Sequence, residues 1–288
     1  MVDVNTKIVG LIGYPLGHSI SPLLHNYTIE TEKMNYIYLP FSIKPENLQE
    51  GIEGMRALNI RGVNVTIPYK EKVIPMLDEL DPLASRVGAV NTIVNDDGFL
   101  TGYNTDVTGL LRMIKRDGNF QIKGKKAVIV GAGGAARAAG ISILSEGISE
   151  VYLLNRTLAR AEILAGEWSD YYPSVDINVV ELDEKKYKIF IDEIDIIIDT
   201  TPVGMSPDID VPPVIGKEYI NKNMLVVDLV YNPEETTLIK VARDVGANHL
   251  NGLGMLLYQG IESFKLWTGF DIRPSSWWSL IKNKGINK

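Results

Sequence analysis

A glycine-rich segment at residues 131–136 is the clearest sign of chemistry in this sequence. It reads Gly-Ala-Gly-Gly-Ala-Ala and follows the apolar run Val128–Val130. The spacing fits Gly-x-Gly-x-x-Ala: Gly131 makes a tight turn, and Gly133 lets a pyrophosphate approach the backbone. The small residue Ala136 lets a helix pack on the sheet, and the N-terminus of that helix faces the anion. The segment predicts a dinucleotide site, and a simple glycine-rich turn between a strand and a helix is the alternative.

The end of the next predicted strand indicates which dinucleotide the site prefers. Sites for NAD normally place an acid there to bind the ribose 2′-hydroxyl. This chain has Asn155-Arg156-Thr157 instead, and the first acid after it is Glu162. A guanidinium offers planar, charge-assisted donors to a 2′-phosphate, so the sequence favours NADP. The alternative is that Arg156 is an ordinary solvated residue.

A lysine and an aspartate follow predicted strands in the N-terminal half of the chain. Lys70 ends the segment Asn64–Lys70, and Asp106 comes directly after Asn104-Thr105. In α/β domains ligands bind beyond the carboxyl ends of the strands, so both side chains could converge in one cleft. Such a pair could move the proton of a secondary alcohol during hydride transfer, provided that burial lowers the pKa of the lysine. A surface salt bridge, or Asp106 acting as a helix N-cap, is an equally open alternative.

Two serines bracket one isoleucine near the N-terminus, in the order Ser19-Ile20-Ser21-Pro22. In an extended chain both hydroxyls would point the same way. The pair then forms a two-pronged clamp for a ligand, or else Ser21 caps a helix that has Pro22 at its first position. Because the net charge is −7, an anionic ligand would need local donors of this kind.

Strand and helix patterns alternate along the chain, which predicts an α/β fold with mainly parallel sheets and two domains. The predicted domains are residues 1–106 with 242–288, which would bind the substrate, and residues 107–241, a Rossmann domain. The predicted strands are Lys7–Gly13, Tyr36–Phe41, Gly62–Ile67, Ala89–Asn95, Leu100–Tyr103, Ala127–Val130, Glu150–Leu154, Ile177–Leu182, Ile194–Asp199 and Leu225–Leu229. The predicted helices are Pro22–Lys33, Pro45–Leu58, Tyr69–Leu77, Asp106–Asp117, Gly134–Glu146, Gly254–Thr268 and Ser275–Ile281.

Composition excludes several classes of protein. The chain has no cysteine, which removes disulfides and thiolate metal sites, and its three histidines argue against a histidine-rich metal site. The net charge of −7 disfavours nucleic acid as a partner. No apolar run approaches the roughly 18 residues that span a bilayer, and the N-terminus does not resemble a secretory signal. We therefore expect a cytoplasmic protein that acts on small molecules, without a metal or a membrane partner.

Eight segments, taken in order and spacing, resemble the shikimate dehydrogenase family over nearly the whole chain. They are residues 13–26, 62–70, 88–94, 102–106, 131–137, 154–157, 200–205 and 251–260. The resemblance implies NADP-dependent reduction of 3-dehydroshikimate to shikimate in aromatic amino-acid synthesis. It also implies an N-terminal α/β substrate domain, a Rossmann domain, and a C-terminal helix that returns to the first domain.

The resemblance assigns roles to individual residues. Lys70 and Asp106 would be the catalytic pair beside the reacting oxygen. Ser19 and Ser21 would bind the substrate carboxylate, and the other substrate contacts would be Thr66, Asn91, Gln259 and Tyr231. The pyrophosphate would lie on Gly131, Gly133, Gly134 and Ala135, and the 2′-phosphate on Asn155, Arg156 and Thr157. The residues on the nicotinamide side would be Thr200, Leu229, Gly252 and Met255.

Alternatives remain within and beyond this family. Some segments look closer to the quinate/shikimate dehydrogenase branch, which also accepts NAD. The resemblance to that branch implies an acidic residue shortly after the Asn-Arg pair, and this chain has Leu158 there. We therefore favour shikimate and NADP, with quinate and NAD as secondary ligands and a homodimer as an assembly to be tested. A non-catalytic sensor of dinucleotide or quinate is the rival class, and the intact Lys70 and Asp106 weigh against it. A folate-linked dehydrogenase is a weaker rival because it gives no reason for the paired serines.

Overall fold

The computed structural model describes residues 2–17 and 19–284 and divides the chain into two compact units. The first unit comprises Met1–Thr105 and Gln259–Lys284, and the second contains Asp106–Tyr258. The strands are β1 Lys7–Gly13, β2 Tyr36–Ser42, β3 Gly62–Val65, β4 Glu79–Leu80, β5 Thr92–Asp96, β6 Phe99–Tyr103, β7 Lys126–Val130, β8 Glu150–Asn155, β9 Asp176–Glu181, β10 Ile196–Asp199, β11 Leu225–Asp228 and β12 Asn248–Asn251. The helices are α1 Ser21–Thr31, α2 Leu48–Ala57, α3 Pro82–Val87, α4 Asp106–Arg112, α5 Gly134–Leu144, α6 Leu158–Tyr171, α7 Glu184–Tyr187, α8 Thr237–Asp244, α9 Leu253–Thr268 and α10 Pro274–Lys284.

The sheet of the first unit has the strand order β2-β1-β3-β5-β6-β4. Strands β1, β2 and β3 are parallel, whereas β5 is antiparallel to both β3 and β6. The hairpin between β5 and β6 turns at Asp97 and Gly98, both with positive φ (53° and 92°), as a two-residue type I′ turn requires. Because β5 runs against β3, its first residue Thr92 pairs with Asn64 near the carboxyl end of β3.

The sheet of the second unit is entirely parallel, in the order β12-β11-β10-β7-β8-β9. Its central strands are buried on both faces, which explains their continuous apolar sequences. Helix α5 packs closely on α6, because a Cβ at Gly140 would lie 2.0 Å from Cζ2 of Trp168. Trp168 is fully buried there. Two sheets rich in parallel strands confirm the predicted α/β class.

Several predicted elements differ from the observed ones. Residues 69–77, predicted as a helix, form turns and one short 3₁₀ segment at Ile74–Met76. Pro68 and Pro75 lack the backbone N–H that a helix needs, and Tyr69 is instead buried with its hydroxyl bound to the carbonyl of Ile43. The helix that starts at Asp106 changes to a π-helix at Met113–Asp117.

The second unit extends beyond the predicted boundary at residue 242, as far as Tyr258. The reason is β12, which pairs in parallel with β11 and so adds residues 248–251 to the second sheet. Its sequence, Asn-His-Leu-Asn, carries no apolar pattern that would have predicted a strand. The other boundary, between Thr105 and Asp106, lies one residue from the predicted position.

In the described part of the chain, no helix combines the length and the apolar character that crossing a membrane would require.

Candidate active site

The two serines lie at the start of α1 in an arrangement that differs from the prediction. The oxygen of Ser19 accepts the backbone N–H of Ser21 at 3.3 Å, and α1 begins with Ser21 itself. Ile20 precedes the helix with φ −84° and ψ −4°, so the chain is not extended between the serines. The N-cap role predicted for Ser21 is therefore wrong, because Ser21 is the first residue of the helix and Ile20 occupies the N-cap position.

The loops that follow β1 and β3 lie side by side in the first unit. The N–H of Thr66 donates to the carbonyl of Ile12 at 2.9 Å, and that of Tyr14 donates to Ile67 at 3.1 Å. A Cβ at Gly13 would lie 2.5 Å from the methyl group of Thr66, so only glycine permits this approach. The close contact places the half-buried Thr66 at the carboxyl edge of the sheet.

Lys70 is held at the same edge through its backbone. Its carbonyl accepts the N–H of Val90 at 2.7 Å, and Val90 immediately precedes Asn91. The preceding residue, Tyr69, is fully buried and anchors the turn. The lysine side chain is half-buried. Lys70 and Asn91 are thus brought to one region although they are distant in sequence.

Asn91 and Gln259 are joined directly. The amide nitrogen of Asn91 donates to the amide oxygen of Gln259 at 3.2 Å, and the oxygen of Asn91 accepts the backbone N–H of Thr105 at 2.8 Å. The first unit therefore brings together two residues that the resemblance assigned to substrate binding.

A buried set of polar side chains lies beside this pair, and the sequence analysis predicted no role for the set. Its members are Tyr38, Asn64, Thr92, Thr105 and Ser263, linked by hydrogen bonds of 2.7 to 3.4 Å. The polar residue Asn64 inside the buried strand β3 indicates that such partners exist, because a buried amide needs them, but it does not identify Tyr38 and Ser263.

Asp106 begins α4 in the second unit and is almost completely buried. It therefore belongs to a different unit from Lys70. The pairing of these two side chains in catalysis remains a prediction.

The glycine turn has the geometry that a pyrophosphate needs. Gly131 has a φ of +105°, and a Cβ there would lie 2.5 Å from the hydroxyl of Thr200. Gly133 precedes α5 and has no atom within 4 Å of its would-be Cβ, so its backbone is open on that side. Helix α5 then begins at Gly134 and continues through Ala135, and its free N–H groups point toward the turn.

Two strand ends flank the glycine turn because β8 and β10 are both neighbours of β7. At the end of β8, the amide of Asn155 donates to the carbonyl of Thr157 at 2.9 Å, which shapes the turn. Arg156 and Thr157 are exposed, and within the described residues Arg156 makes no ion pair. At the end of β10, the hydroxyl of Thr200 donates to the carbonyl of Val130 at 2.6 Å. The predicted 2′-phosphate and nicotinamide residues thus lie on opposite flanks of the turn.

The other residues that were predicted to line the nicotinamide follow strands β11 and β12. A Cβ at Gly252 would lie 2.0 Å from the carbonyl oxygen of Leu229, so this approach requires glycine. Met255 follows on α9 and is buried. Tyr231 is partly buried, and this burial raises the pKa of its phenol. Within the second unit, these predicted residues therefore form one neighbourhood around Leu229.

Two buried acids lie under this neighbourhood and were not predicted. Asp199 ends β10 and Asp228 ends β11, directly before Thr200 and Leu229. Burial and the charge of Asp228 raise the pKa of Asp199 to about 7, and burial raises that of Asp228 to about 6. Asp199 accepts the N–H of Thr201, and Asp228 accepts the N–H of Val230. Each acid therefore shapes the loop that follows its own strand.

A parallel sheet with an open glycine turn at its centre and an exposed guanidinium on one flank defines a dinucleotide-binding unit of the Rossmann type. Models of three family domains match the chain: "Shikimate dehydrogenase substrate binding domain" at residues 11–93, "Shikimate / quinate 5-dehydrogenase" at 113–234, and "Shikimate 5'-dehydrogenase C-terminal domain" at 252–273. The chain belongs to the shikimate dehydrogenase family, as its sequence motifs predicted.

Relatives match along almost the whole chain. A protein of Halothermothrix orenii named "Shikimate dehydrogenase (NADP(+))" is 59% identical, covering 95% of this chain and 94% of the relative. A protein of Methanocaldococcus jannaschii with the same name is 44% identical, covering 100% and 99%. A crystal structure of a shikimate dehydrogenase in complex with NADP⁺ superposes with a TM-score of 0.91 at 42% identity, covering 99% and 97%. A shikimate 5-dehydrogenase from Listeria monocytogenes in complex with shikimate and NAD gives 0.89 at 35%, covering 97% and 98%.

Proposed function

We propose that this protein catalyses the reversible, NADP-dependent reduction of 3-dehydroshikimate to shikimate. The observation that carries the proposal is the gathering of Lys70, Asn91 and Gln259 at one edge of the first sheet. A protein that only senses a dinucleotide would not need a lysine beside a pair of substrate-binding amides. The relatives that match the full chain carry the name of this activity.

The first unit would bind the substrate. Its polar edge supplies hydroxyl and amide groups that match the hydroxyls and the carboxylate of shikimate. In this proposal Ser19 and Ser21 bind the carboxylate, Thr66, Asn91 and Gln259 bind the ring or assist the carboxylate, and Tyr231 of the second unit adds one further contact. Neutral donors suit an anion here because they do not compete electrostatically with Lys70.

The second unit would hold NADP. The open backbone at Gly133 and the N-terminus of α5 fit a pyrophosphate, with Gly131, Gly134 and Ala135 shaping the turn. Arg156 would donate to the 2′-phosphate, flanked by Asn155 and Thr157. Thr200, Leu229, Gly252 and Met255 would line the nicotinamide. The bound cofactor supplies or accepts the hydride.

Lys70 and Asp106 would manage the proton that accompanies the hydride. In the direction of reduction, Lys70 in its ammonium form would donate a proton to the oxygen that becomes the hydroxyl of shikimate. Asp106 would orient this lysine and the hydroxyl. In the reverse direction Lys70 would accept the same proton. Removing water from around both groups would strengthen each of these interactions.

Quinate with NAD is the second candidate, and one structural similarity favours it. A quinate dehydrogenase from Corynebacterium glutamicum in complex with NAD gives a TM-score of 0.88 at 28% identity, covering 96% of this chain and 99% of that chain. We rank quinate and NAD as secondary ligands because Arg156 is an exposed donor without an adjacent acid. A cytoplasmic location and a homodimer are further proposals, and sedimentation analysis tests the homodimer.

A matrix of two substrates and two cofactors tests the proposal. The purified protein is mixed with shikimate or quinate and with NADP⁺ or NAD⁺, and reduced cofactor is followed at 340 nm. We expect the highest kcat/KM with shikimate and NADP⁺. Absence of turnover in all four combinations would overturn the proposed function, whereas a preference for quinate and NAD⁺ would move the protein to the second candidate.

A further inference from the structure

The segment Leu229–Tyr231, which follows β11, is held by the backbone on two sides. The N–H of Leu229 donates to the carbonyl of Asp199 at 2.9 Å, on the neighbouring strand β10. The carbonyl of Val230 accepts the N–H of Gly252 at 3.1 Å, just after β12 on the other side. The strands on either side of β11 therefore set part of the position of this segment.

The side chain of Asp228 connects the two ends of the loop between β11 and α8. Its Oδ1 atom accepts the N–H of Val230 at 2.9 Å, and its Oδ2 atom accepts the hydroxyl of Thr236 at 2.5 Å. Thr236 is the N-cap of α8, and its oxygen accepts the N–H of Ile239 at 3.3 Å. Because a backbone N–H can only donate, the proton of the Thr236 hydroxyl remains available for Asp228. The residue that caps α8 thus also holds the carboxylate that fixes the turn after β11.

Burial makes these two hydrogen bonds of Asp228 important for the loop. Asp228 is 2% exposed and Thr236 is 1% exposed, so water does not replace either partner. Burial raises the pKa of Asp228 to about 6, and the hydrogen bonds from Thr236 and Val230 offset part of the rise. Burial and the charge of Asp228 raise the pKa of the opposite acid, Asp199, to about 7. Asp228 is therefore the first of the two acids to ionise as the pH rises, and its carboxylate form accepts both donors.

We propose that Asp228 and Thr236 are positioning residues, which fix the segment Leu229–Tyr231 for its contacts with the nicotinamide and the substrate. This inference rests on the proposed function, because that function places Leu229 at the nicotinamide and Tyr231 at the substrate. It deepens the function by adding two residues that act through the loop. Their loss should impair hydride transfer more than binding of NADP, because the glycine turn and the proposed 2′-phosphate residues follow other strands of the sheet.

Steady-state kinetics of three variants test the positioning. Thr236→Val removes the hydroxyl and preserves the side-chain shape, whereas Thr236→Ser keeps the hydroxyl. Asp183→Ala is the control, because Asp183 is also a helix N-cap in the second unit, where it accepts the N–H of Lys185 at 3.0 Å. Thr236→Val and Asp183→Ala should both lower the melting temperature. Only Thr236→Val should lower kcat with shikimate, by about tenfold, with an unchanged KM for NADP⁺, and Thr236→Ser should restore most of the kcat. A wild-type kcat in Thr236→Val would overturn the inference.

Hydrogen exchange without any ligand separates this inference from the proposed function. In ¹⁵N-valine-labelled protein, the amide of Val230 is identified by the signal that is missing in Val230→Ile. This amide should exchange with D₂O roughly tenfold faster in Thr236→Val and at the wild-type rate in Asp183→Ala. The buried Val227 inside β11 is the internal reference and should stay protected. Unchanged exchange of Val230 in Thr236→Val would overturn the inference even if the enzyme turns over shikimate. Faster exchange in a protein without turnover would support the positioning of the loop and remove the proposed function.

A double-mutant cycle tests whether Thr236 acts through Asp228. If it does, Thr236→Val should lower kcat in the wild-type background and should have almost no further effect on kcat in the Asp228→Ala background. Loss of the helix cap should lower the melting temperature in both backgrounds. Additive effects on kcat would overturn the inference, because Thr236 would then influence the site by another route. If Asp228→Ala does not fold, the exchange of Val230 in Thr236→Val still decides the question.

Discussion

Asp199 and Asp228 lie directly opposite each other at the carboxyl ends of the neighbouring parallel strands β10 and β11. Both are buried, and each accepts a backbone N–H from the loop that follows it. Parallel register places both side chains on the same face of the sheet. Two carboxylates held in this way repel each other, so the folded protein retains protons that the unfolded chain releases.

This pair predicts that stability falls as the pH rises. The pKa values, raised to about 7 for Asp199 and about 6 for Asp228, lie above their ordinary value near 3.8. Protonation therefore stabilises the folded state, and this contribution is lost between about pH 4 and pH 7. Asp199→Asn removes one of the two titrating groups, so stability should fall less steeply as the pH rises. The free energy of unfolding at pH 8 should increase by roughly 2 kcal/mol. Thermal unfolding at pH 5 to 8 measures this, with the exposed Asp192→Asn as control. If stability declined with pH at the same slope in Asp199→Asn and in Asp192→Asn, this prediction would be contradicted.

Lys70→Ala should lower kcat by roughly a thousandfold with a much smaller change in the KM for shikimate, as expected for a proton-transfer residue. Lys72→Ala is the matched control, because Lys72 is an exposed lysine two residues further along the chain. Steady-state measurements of kcat and KM for both variants test this prediction. A loss confined to KM would instead assign Lys70 to substrate binding.

Arg156→Ala should raise the KM for NADP⁺ by about 10- to 100-fold, because a charge-assisted contact with the 2′-phosphate is lost. The KM for NAD⁺ should remain as in the wild type. Arg160→Ala provides the comparison, since Arg160 is an exposed arginine on the same segment. Equal weakening of both cofactors by Arg156→Ala would show that the guanidinium does not distinguish them.

Ser19→Ala should raise the KM for shikimate about tenfold and lower kcat less, because one neutral donor to the carboxylate is removed. The same change removes the cap on the N–H of Ser21, so a small loss of stability accompanies it. Ser19→Thr keeps the hydroxyl and should restore most of the affinity. An unchanged KM in Ser19→Ala would leave the serine with a purely structural role.

Local patterns in the sequence were sufficient to predict where the residues of the glycine turn and its flanks lie, because short segments form this part of the candidate site. The glycine turn, the helix after it and Arg156 lie within one strand–helix–strand unit, so their spacing determined their placement. The motif around Lys70 predicted a strand that ends at Ile67, whereas β3 ends at Val65 and Lys70 lies in the turns that follow. The helix predicted over residues 69–77 failed because proline and a buried tyrosine outweighed the helical pattern.

The rest of the site depends on contacts between distant segments, which a single sequence does not reveal. Asp199 and Asp228 lie in separate predicted strands, and only the order of the sheet makes them neighbours. Ser263 lies on a predicted helix far along the sequence, and only the folded chain brings it to Asn64 and Thr92. Strand β12 was missed because its polar residues show no alternation, so the extent of the second unit could not be predicted either.

Trp168, which packs against Gly140, can serve as an intrinsic fluorescence probe. Of the four tryptophans, Trp168 alone belongs to the second unit, whereas Trp267, Trp277 and Trp278 belong to the first. Because its indole is buried against Gly140, the emission maximum of Trp168 should lie at short wavelength and should shift to the red when unfolding exposes the ring to water. Subtracting the emission of Trp168→Phe from that of the wild type isolates the signal of the second unit. The melting of each unit can therefore be followed separately by intrinsic fluorescence, without an added dye.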